Sequence, residues 1–430
     1  MAGKTEWEDI CGQADICALS GAAAFFAGVP GAVIVLNGPL WCYFYAKRYL
    51  ERANPASQVN TRFICAQLDA DSVVYGTEEY LLETLVSLKE EHPAQVFIIN
   101  SCAIGLIGDD IAGIAAEANL NCPVIHLDGG GLKGGFSAGY RAAAAAYFKA
   151  QVLKKKAPVK PDTVNLLGLT FGYYNAENDY QELKRLLNLA GYKVLAAPGM
   201  GASPEEIAAL TGAALNIVVH EELGLDLARY LQNEYQMPYL TELPPYGFEG
   251  TLLWLSKIIA QTAAAPSRTQ AAYLESTARQ TDLKAALQEV RQIWEEARFN
   301  KAVLVAPPSV AFGLAAALER EFPVSTQILV ASGNEIPLNW QDKKNGITIL
   351  ENNLALEEAL QTMSPGDLLL GSSQEKKRLR ELNKTQTAWQ NISLPVYDEL
   401  ILKGRPLMGL NGATYLTATL WNQFMDLRLR

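Results

Sequence analysis

Six cysteines carry the strongest chemical signal in this 430-residue chain: Cys11, Cys17, Cys42, Cys65, Cys102 and Cys122. All lie in the first third, and none follows residue 122. That clustering favours a metal or redox site built by one N-terminal unit. Thiolates are soft, charge-donating ligands that suit iron–sulfur clusters. Cys17 opens CALSGAAAFFAGVPG, which reads as a helix entry. Cys42 follows the apolar run AVIVLN (32–37) through the turn Asn37-Gly38-Pro39, and Cys102 directly follows QVFIIN (95–100). Two cysteines therefore stand at the carboxyl ends of buried strands, where open parallel sheets place their sites. The plain alternative is a set of small buried hydrophobes, a common use of free cysteine. No C-x-x-C pair occurs, so zinc-ribbon and ferredoxin readings are weak. Cys11 and Cys65 are weaker candidates, the first near a terminus and the second among hydrophobic neighbours. Cys122, beside Pro123 at a strand start, reads as structural.

Other residues offer less. His220 precedes Glu221-Glu222 at a strand end, where it is a candidate metal ligand or proton donor, or a simple cap. The glycine-rich segment 128–135 offers backbone N–H groups to an anion but lacks the spacing of a nucleotide-binding P-loop. ATP hydrolysis by this chain is therefore not expected. Tyr173, Tyr174 and Trp41 are candidates to line a flat pocket for a planar ligand, or to be core aromatics.

Positioning these residues requires alternating strands and helices. Besides the two runs above, CPVIHLD (122–128) reads as a buried parallel strand, and YLLETLVSLKEEH (80–92) has helical spacing. QVLKKKAPVKPD (151–162) reads as a charged, proline-broken, solvated linker. Beyond it, TVNLLGLT, YKVLAAPG, LNIVVH and MPYLTEL read as strands. NDYQELKRLLNLAG is a helix ending at glycine, and SPEEIAALTGA has Ser203 as N-cap and Pro204 at the first helical position. A long stretch without glycine or proline (267–300) reads as a connecting helix, and KAVLVAPP, STQILVAS, GITILEN and GDLLLGSS open a third set of strands. The expectation is an α/β protein of three doubly wound parallel-sheet, Rossmann-like domains. Its parts are an N-terminal domain (1–155), a second domain (160–266), the connector (267–300) and a third domain (301–404). The tail (405–430) is a candidate to pack back on the first domain.

Bulk properties exclude several classes. With 49% hydrophobic and 19% charged residues the chain is globular rather than disordered. A formal net charge of -10 argues against nonspecific nucleic-acid binding. The acidic start and the glycine- and proline-broken segment 22–36 predict neither a signal peptide nor a membrane span, so a cytoplasmic location is expected.

Five segments carry a family resemblance. CALSGAAAFFAGVPGAVIVLNGPLWC (17–42) and NSCAIGLIGDDI (100–111) resemble the cluster-cysteine segments of the nitrogenase component 1 family. LDADSVVYGTEEYL (68–81), GDLLLGSS (366–373) and LPVYDELILKGRPLMGLNGATYL (394–416) are similar to other segments of that family, in order along the chain. The resemblance implies that Cys17, Cys42 and Cys102 hold an iron–sulfur cluster shared with a partner chain, either [4Fe–4S] or a P-cluster-like [8Fe–7S] form. Cys11 is then a candidate fourth ligand. It also implies a second component 1-type chain, in a homo- or hetero-oligomer, and electron delivery by an ATP-dependent Fe-protein-type reductase. The chain departs from the dinitrogen-reducing subunits, whose metal cofactor is held by one cysteine and one histidine. His220 falls at the cysteine's place, and no histidine follows it. No molybdenum or vanadium cofactor, and no dinitrogen reduction, is therefore expected of this chain. Two functions remain: a nitrogenase-like reductase subunit, or a non-catalytic scaffold on which a metal cofactor is assembled or carried.

Overall fold

The computed structural model describes residues 16–53, 61–68, 76–151, 153, 158–293, 298–322, 324–331, 347–350 and 353–429. Three all-parallel sheets organise the chain. The first holds β1 (Ala32–Gly38), β2 (Arg62–Gln67), β3 (Gln95–Asn100) and β4 (Val124–Asp128) in the order β2-β1-β3-β4. β1 and β3 are buried along their whole length. Their unbroken apolar runs are what a central strand covered on both faces requires. Helices α1 (Ala18–Ala27), α2 (Leu40–Ala53), α3 (Glu78–Ser87), α4 (Cys102–Ile107), α5 (Ile111–Ala118) and α6 (Phe136–Ala150) surround it.

The second sheet runs β6-β5-β7-β8, from β5 (Lys160–Leu167), β6 (Lys193–Ala196), β7 (Ala213–Val218) and β8 (Tyr239–Thr241). Its helices are α7 (Ala176–Leu189), α8 (Pro204–Ala209), α9 (Glu221–Tyr235) and α10 (Phe248–Gln261). α8 begins with a full capping box, Ser203 and Glu206 satisfying each other's backbone N–H groups. A long helix, α11 (Gln270–Ile293), lies within the segment 267–300 read as a connector. The third sheet, β11-β10-β9-β12-β13, uses β9 (Lys301–Val305), β10 (Ser325–Ala331), β11 (Ile347–Leu350), β12 (Leu368–Gly371) and β13 (Ala388–Asn391). α12 (Pro308–Glu321), α13 (Asn353–Gln361) and α14 (Ser373–Glu381) complete this unit, and α15 (Gly409–Leu429) closes the chain.

Two details differ from the sequence expectations. β5 begins at Lys160, inside the segment read as a linker, of which residues 154–157 lie outside the described residues. The tail does not take the expected place on the first domain. α15 packs instead against α7, α10, α11 and β13 of the second and third units. Hydrogen bonding accounts for the choice. Backbone N–H groups at and just before a helix start lack intrahelical partners and need acceptors where they are buried. Buried Asp179 on α7 accepts from the N–H groups of Leu407 (2.6 Å) and Met408 (2.9 Å). Glu182, one turn later, accepts from the N–H of Asn411 (3.1 Å) and from its side-chain amide (2.5 Å).

Glycines set the tightest packing. α1 and α6 meet backbone to backbone: a Cβ on Gly21 would overlap the Phe136 carbonyl, and one on Gly139 the Ala18 carbonyl. Gly28 meets Gly199 of the second unit in the same way. Forcing a methyl group into such a contact costs about 1–3 kcal/mol or more. Gly139→Ala is therefore expected to lower unfolding stability by at least that amount. Gly250→Ala, whose added Cβ meets open space in α10, is expected to be neutral or to gain up to about 1 kcal/mol. Denaturant unfolding of the two variants checks this, and equal midpoints would contradict it.

Candidate metal centre and central cavity

The order β2-β1-β3-β4 makes the gap between β1 and β3 a topological switch point, because the chain turns outward in opposite directions from these strands. Three cysteines surround that point. Cys17 is the N-cap of α1 and bridges Gly135 at the start of α6. Cys42 lies in the first turn of α2, its N–H bonded to the Pro39 carbonyl at 3.0 Å. Cys102 is the first residue of α4, directly beyond β3. Cys65, on β2 beside Leu36 of β1, reaches the same corner, its thiol 3.6 Å from the Gly38 carbonyl oxygen. Burial pushes the Cys42 thiol up to about 11, and the neighbouring Cys17, Cys102 and Cys65 thiols push it the same way. Four thiols thus share one neighbourhood. Cys122 stands at the amino end of β4, at the opposite edge, as a structural residue would. Cys11 lies outside the described residues.

The glycine-rich segment 128–135 serves this corner. A side chain on Gly130 would run into Cys102 Sγ, and Gly135 receives Cys17. Among the described residues, no three His, Cys, Asp or Glu side chains converge as they would on a single metal ion. A multi-iron cluster spreads its ligands over several metals, so thiols set farther apart suit it. The donor set fits such a cluster: soft sulfur, with room left by glycine. The corner is also open. Cys17 is exposed, and exposed Leu40, Trp41 and Phe44 on α2, Leu106 on α4 and Leu132 surround it. Trp41 therefore forms part of an apolar surface rather than a pocket wall.

A second candidate site lies where the three units meet. A small cavity, partly open to solvent, is walled there by Tyr173, Tyr174, Asp179, His220, Tyr246 and Val310 among others. His220 is the N-cap of α9 beyond β7, at the switch point of the second sheet. Its Nδ1 lies 2.8 Å from Ser309 Oγ, the hydroxyl of Ser309 donates to Glu222 Oε1 at 2.8 Å, and the Tyr173 hydroxyl donates to the same oxygen at 2.9 Å. Burial pushes His220 down to about 3 and Glu222 upward.

Asp179, Glu222, Ser309 and Tyr246 had no role in the sequence reading. One signal was available for Asp179. In NDYQELKRLL it occupies the same helical stripe as Glu182, Leu183 and Leu186, so a carboxylate sits on a buried face. Burial raises Asp179 from 3.8 to about 7. A carboxyl raised in the folded state binds protons more tightly there, so stability declines as pH rises from about 4 to about 7. Asp179→Asn keeps an acceptor for the Leu407 and Met408 N–H groups without the buried charge. It is expected to melt at or above the wild-type temperature at pH 8, with the wild type gaining relative to it on acidification. A variant that melts lower at pH 8 and gains on the wild type below pH 5 would contradict this.

Comparison with known proteins follows the same lines. The chain matches the family described as nitrogenase component 1 type oxidoreductase over residues 17–425. It is 25% identical over 297 residues to the nitrogenase iron-molybdenum cofactor biosynthesis protein NifE of Methanosarcina barkeri, covering 67% of this chain and 63% of that protein. It is 26% identical over 341 residues to a light-independent protochlorophyllide reductase subunit of Cereibacter sphaeroides, covering 76% and 60%. The alignments thus span less than two thirds of these relatives' own lengths. A solved structure of nitrogenase Cp1 at pH 6.5 shares the fold with a TM-score of 0.77 at 15% identity, over 96% of this chain and 93% of that one. Among the described residues no helix is long and apolar enough to cross a membrane. Three parallel sheets in this arrangement, with a match running through almost the whole chain, make it a member of the nitrogenase component 1 type oxidoreductase family.

Proposed function

We propose that this chain is a component 1-type subunit that holds an iron–sulfur cluster through Cys17, Cys42 and Cys102. In this reading it passes electrons from an ATP-dependent Fe-protein-type reductase to a substrate in the central cavity. What supports the reading is that Cys42 and Cys102 follow the two central strands of the first sheet and that the Cys17, Cys102 and Cys65 thiols lie near enough to Cys42 to raise it. A bound cluster would supply one-electron chemistry. The chain's own residues hold it, and the apolar side chains around it exclude water once a partner covers them. Three thiolates do not complete a [4Fe–4S] site, which takes four. A second component 1-type chain, a copy or a related subunit, would complete the site or share a larger [8Fe–7S] cluster. Trp41 at 65% exposure, Leu106 at 77% and Leu132 at 73% form the rim that such a chain would bury.

The scaffold reading has one specific support, the similarity to a cofactor biosynthesis protein. Steady turnover with a reductase of the family separates the two, since a scaffold would bind without turnover. The molybdenum or vanadium cofactor stays outside the proposal, because His220 alone remains of the two anchor positions.

Two measurements test the core of the proposal. Protein purified without oxygen should show the visible thiolate-to-iron absorption, and Cys17→Ala, Cys42→Ala and Cys102→Ala should each bleach most of it, with no molybdenum or vanadium in the wild type. Full iron in all three variants would remove the ligand assignment. Light scattering should find the iron-bearing protein as a dimer or larger, with Trp41→Glu shifting it toward monomer. A stable iron-bearing monomer would contradict the shared site.

A further inference from the structure

A reduction consumes protons along with electrons, and a cavity between three domains needs a route for them. Among the described residues, no lysine or arginine lines this cavity, and its titratable members are Asp179, His220 and the tyrosines Tyr49, Tyr173, Tyr174 and Tyr246. Asp179 is committed to two backbone N–H groups. His220 is not, and behind it stands a carboxyl group joined through one hydroxyl.

We propose that Glu222, Ser309 and His220 form a proton relay that delivers a proton from the Glu222 carboxyl to a substrate at His220 Nε2. The proposal rests on the reductase reading above and names the residues that serve its cavity. Both links are 2.8 Å long, Glu222 Oε1 to Ser309 Oγ and Ser309 Oγ to His220 Nδ1, a length that suits hydrogen bonding in either direction. Ser309 has a single hydroxyl proton, so it can donate to one neighbour only and must accept from the other. This fixes two states. With Glu222 ionised, Ser309 donates to it, His220 carries its proton on Nδ1 and donates to Ser309, and Nε2 carries the lone pair of a ring that lines the cavity. With Glu222 neutral, its O–H donates to Ser309, Ser309 donates to Nδ1, and His220 carries its proton on Nε2.

The neutral acid should hold its proton on Oε1. Oε2 has no hydrogen-bond partner among the described residues, and a buried O–H without an acceptor is unfavourable. The Tyr173 hydroxyl can still donate to Oε1 in both states. Transfer breaks the Nε2–H, Ser309 O–H and Glu222 O–H bonds and forms substrate–H, Nδ1–H and Ser309 O–H. Net, one proton leaves Glu222 for the substrate and no electron moves along the chain of side chains. The balance closes when one proton from solvent returns to the buried Glu222. His220 never becomes an imidazolium, consistent with its burial. The groups facing this unit are few. Tyr173, on the loop after β5, donates to Glu222, and Tyr246 and Asp179 share the cavity wall. On α6, Arg141 donates to the Glu222 backbone carbonyl at 3.2 Å while paired with Asp226 of α9 at 3.2 Å. The backbone N–H groups of Glu222 and Ser309 also face the carboxylate and oppose the upward shift that burial imposes.

The chain has three histidines, His92, His126 and His220, so nitrogen-15 labelling of histidine gives a readable spectrum. The relay requires His220 to stay neutral at every pH at which the protein remains folded, while its proton moves from Nε2 to Nδ1 wherever Glu222 ionises. Glu222→Gln and Ser309→Ala should each leave His220 in one tautomer across that range, with iron content unchanged. An imidazolium signal at His220, or one fixed tautomer in the wild type throughout, overturns the relay. The wild-type titration stands alone if a variant fails to fold. Loss of the relay would leave the cysteine assignment intact, and retention of iron by the cysteine variants would leave the tautomer switch intact.

Discussion

Everything distinctive about this chain depends on one constraint: thiols crowded at a partly dry corner cannot all be charged unless positive charge sits among them. Desolvation and mutual repulsion both oppose the thiolate at Cys42. Iron reverses that balance, since a coordinating thiol is deprotonated by the metal it binds. In the proposed reading, a sheet that places cysteines after its two central strands, and a third at the start of the helix packed against them, makes a site that is unfavourable for charge when empty and favourable when filled. The same corner is rimmed by exposed leucine, tryptophan and phenylalanine, so the filled site is also one that another surface must cover.

The fold ties this corner to the central cavity through two short routes. α2 starts near Cys42, and two turns later Tyr49 lines the cavity and donates to the Gly172 carbonyl at 3.0 Å. α6 starts beside Gly135, the partner of Cys17, and its first residue, Phe136, rests 5.6 Å from the Tyr173 ring. Tyr173 in turn donates to Glu222 and lies edge-on to His220 at 4.8 Å. Close glycine contacts make these routes rigid. Without Gly21 and Gly139, α1 and α6 would separate, and Cys17 would move with them. Packing density and redox geometry are therefore the same problem here.

The sequence singled out the cysteines of the first candidate site and only fragments of the second. Cys17, Cys42 and Cys102 each sit where an apolar run or a small-residue helix changes register, and a period of two or 3.6 is visible without any tertiary knowledge. The strand read at 95–100 matches β3, and the one read at 215–220 overlaps β7, because central parallel strands are largely apolar. β2 and β13 were not. RFICAQ and AWQN are short, partly polar and at sheet edges, so no periodicity marks them. The tail was misplaced because its position is set by Asp179 and Glu182, carboxylates more than 220 residues away that cap its N–H groups. The His220–Ser309–Glu222 network joins positions 87 and 89 residues apart, a juxtaposition that local pattern cannot express. His220 alone was singled out, as a residue at a strand end.

The central claim is that iron lies among Cys17, Cys42 and Cys102. Diffraction from crystals grown without oxygen, recorded on both sides of the iron absorption edge, tests it most directly. The account predicts an anomalous peak of several irons bounded by these three sulfurs, with remaining ligands from a second chain packed over Trp41 and Leu132. Iron elsewhere in the molecule, or three free thiols at that corner in protein that contains iron, would contradict it.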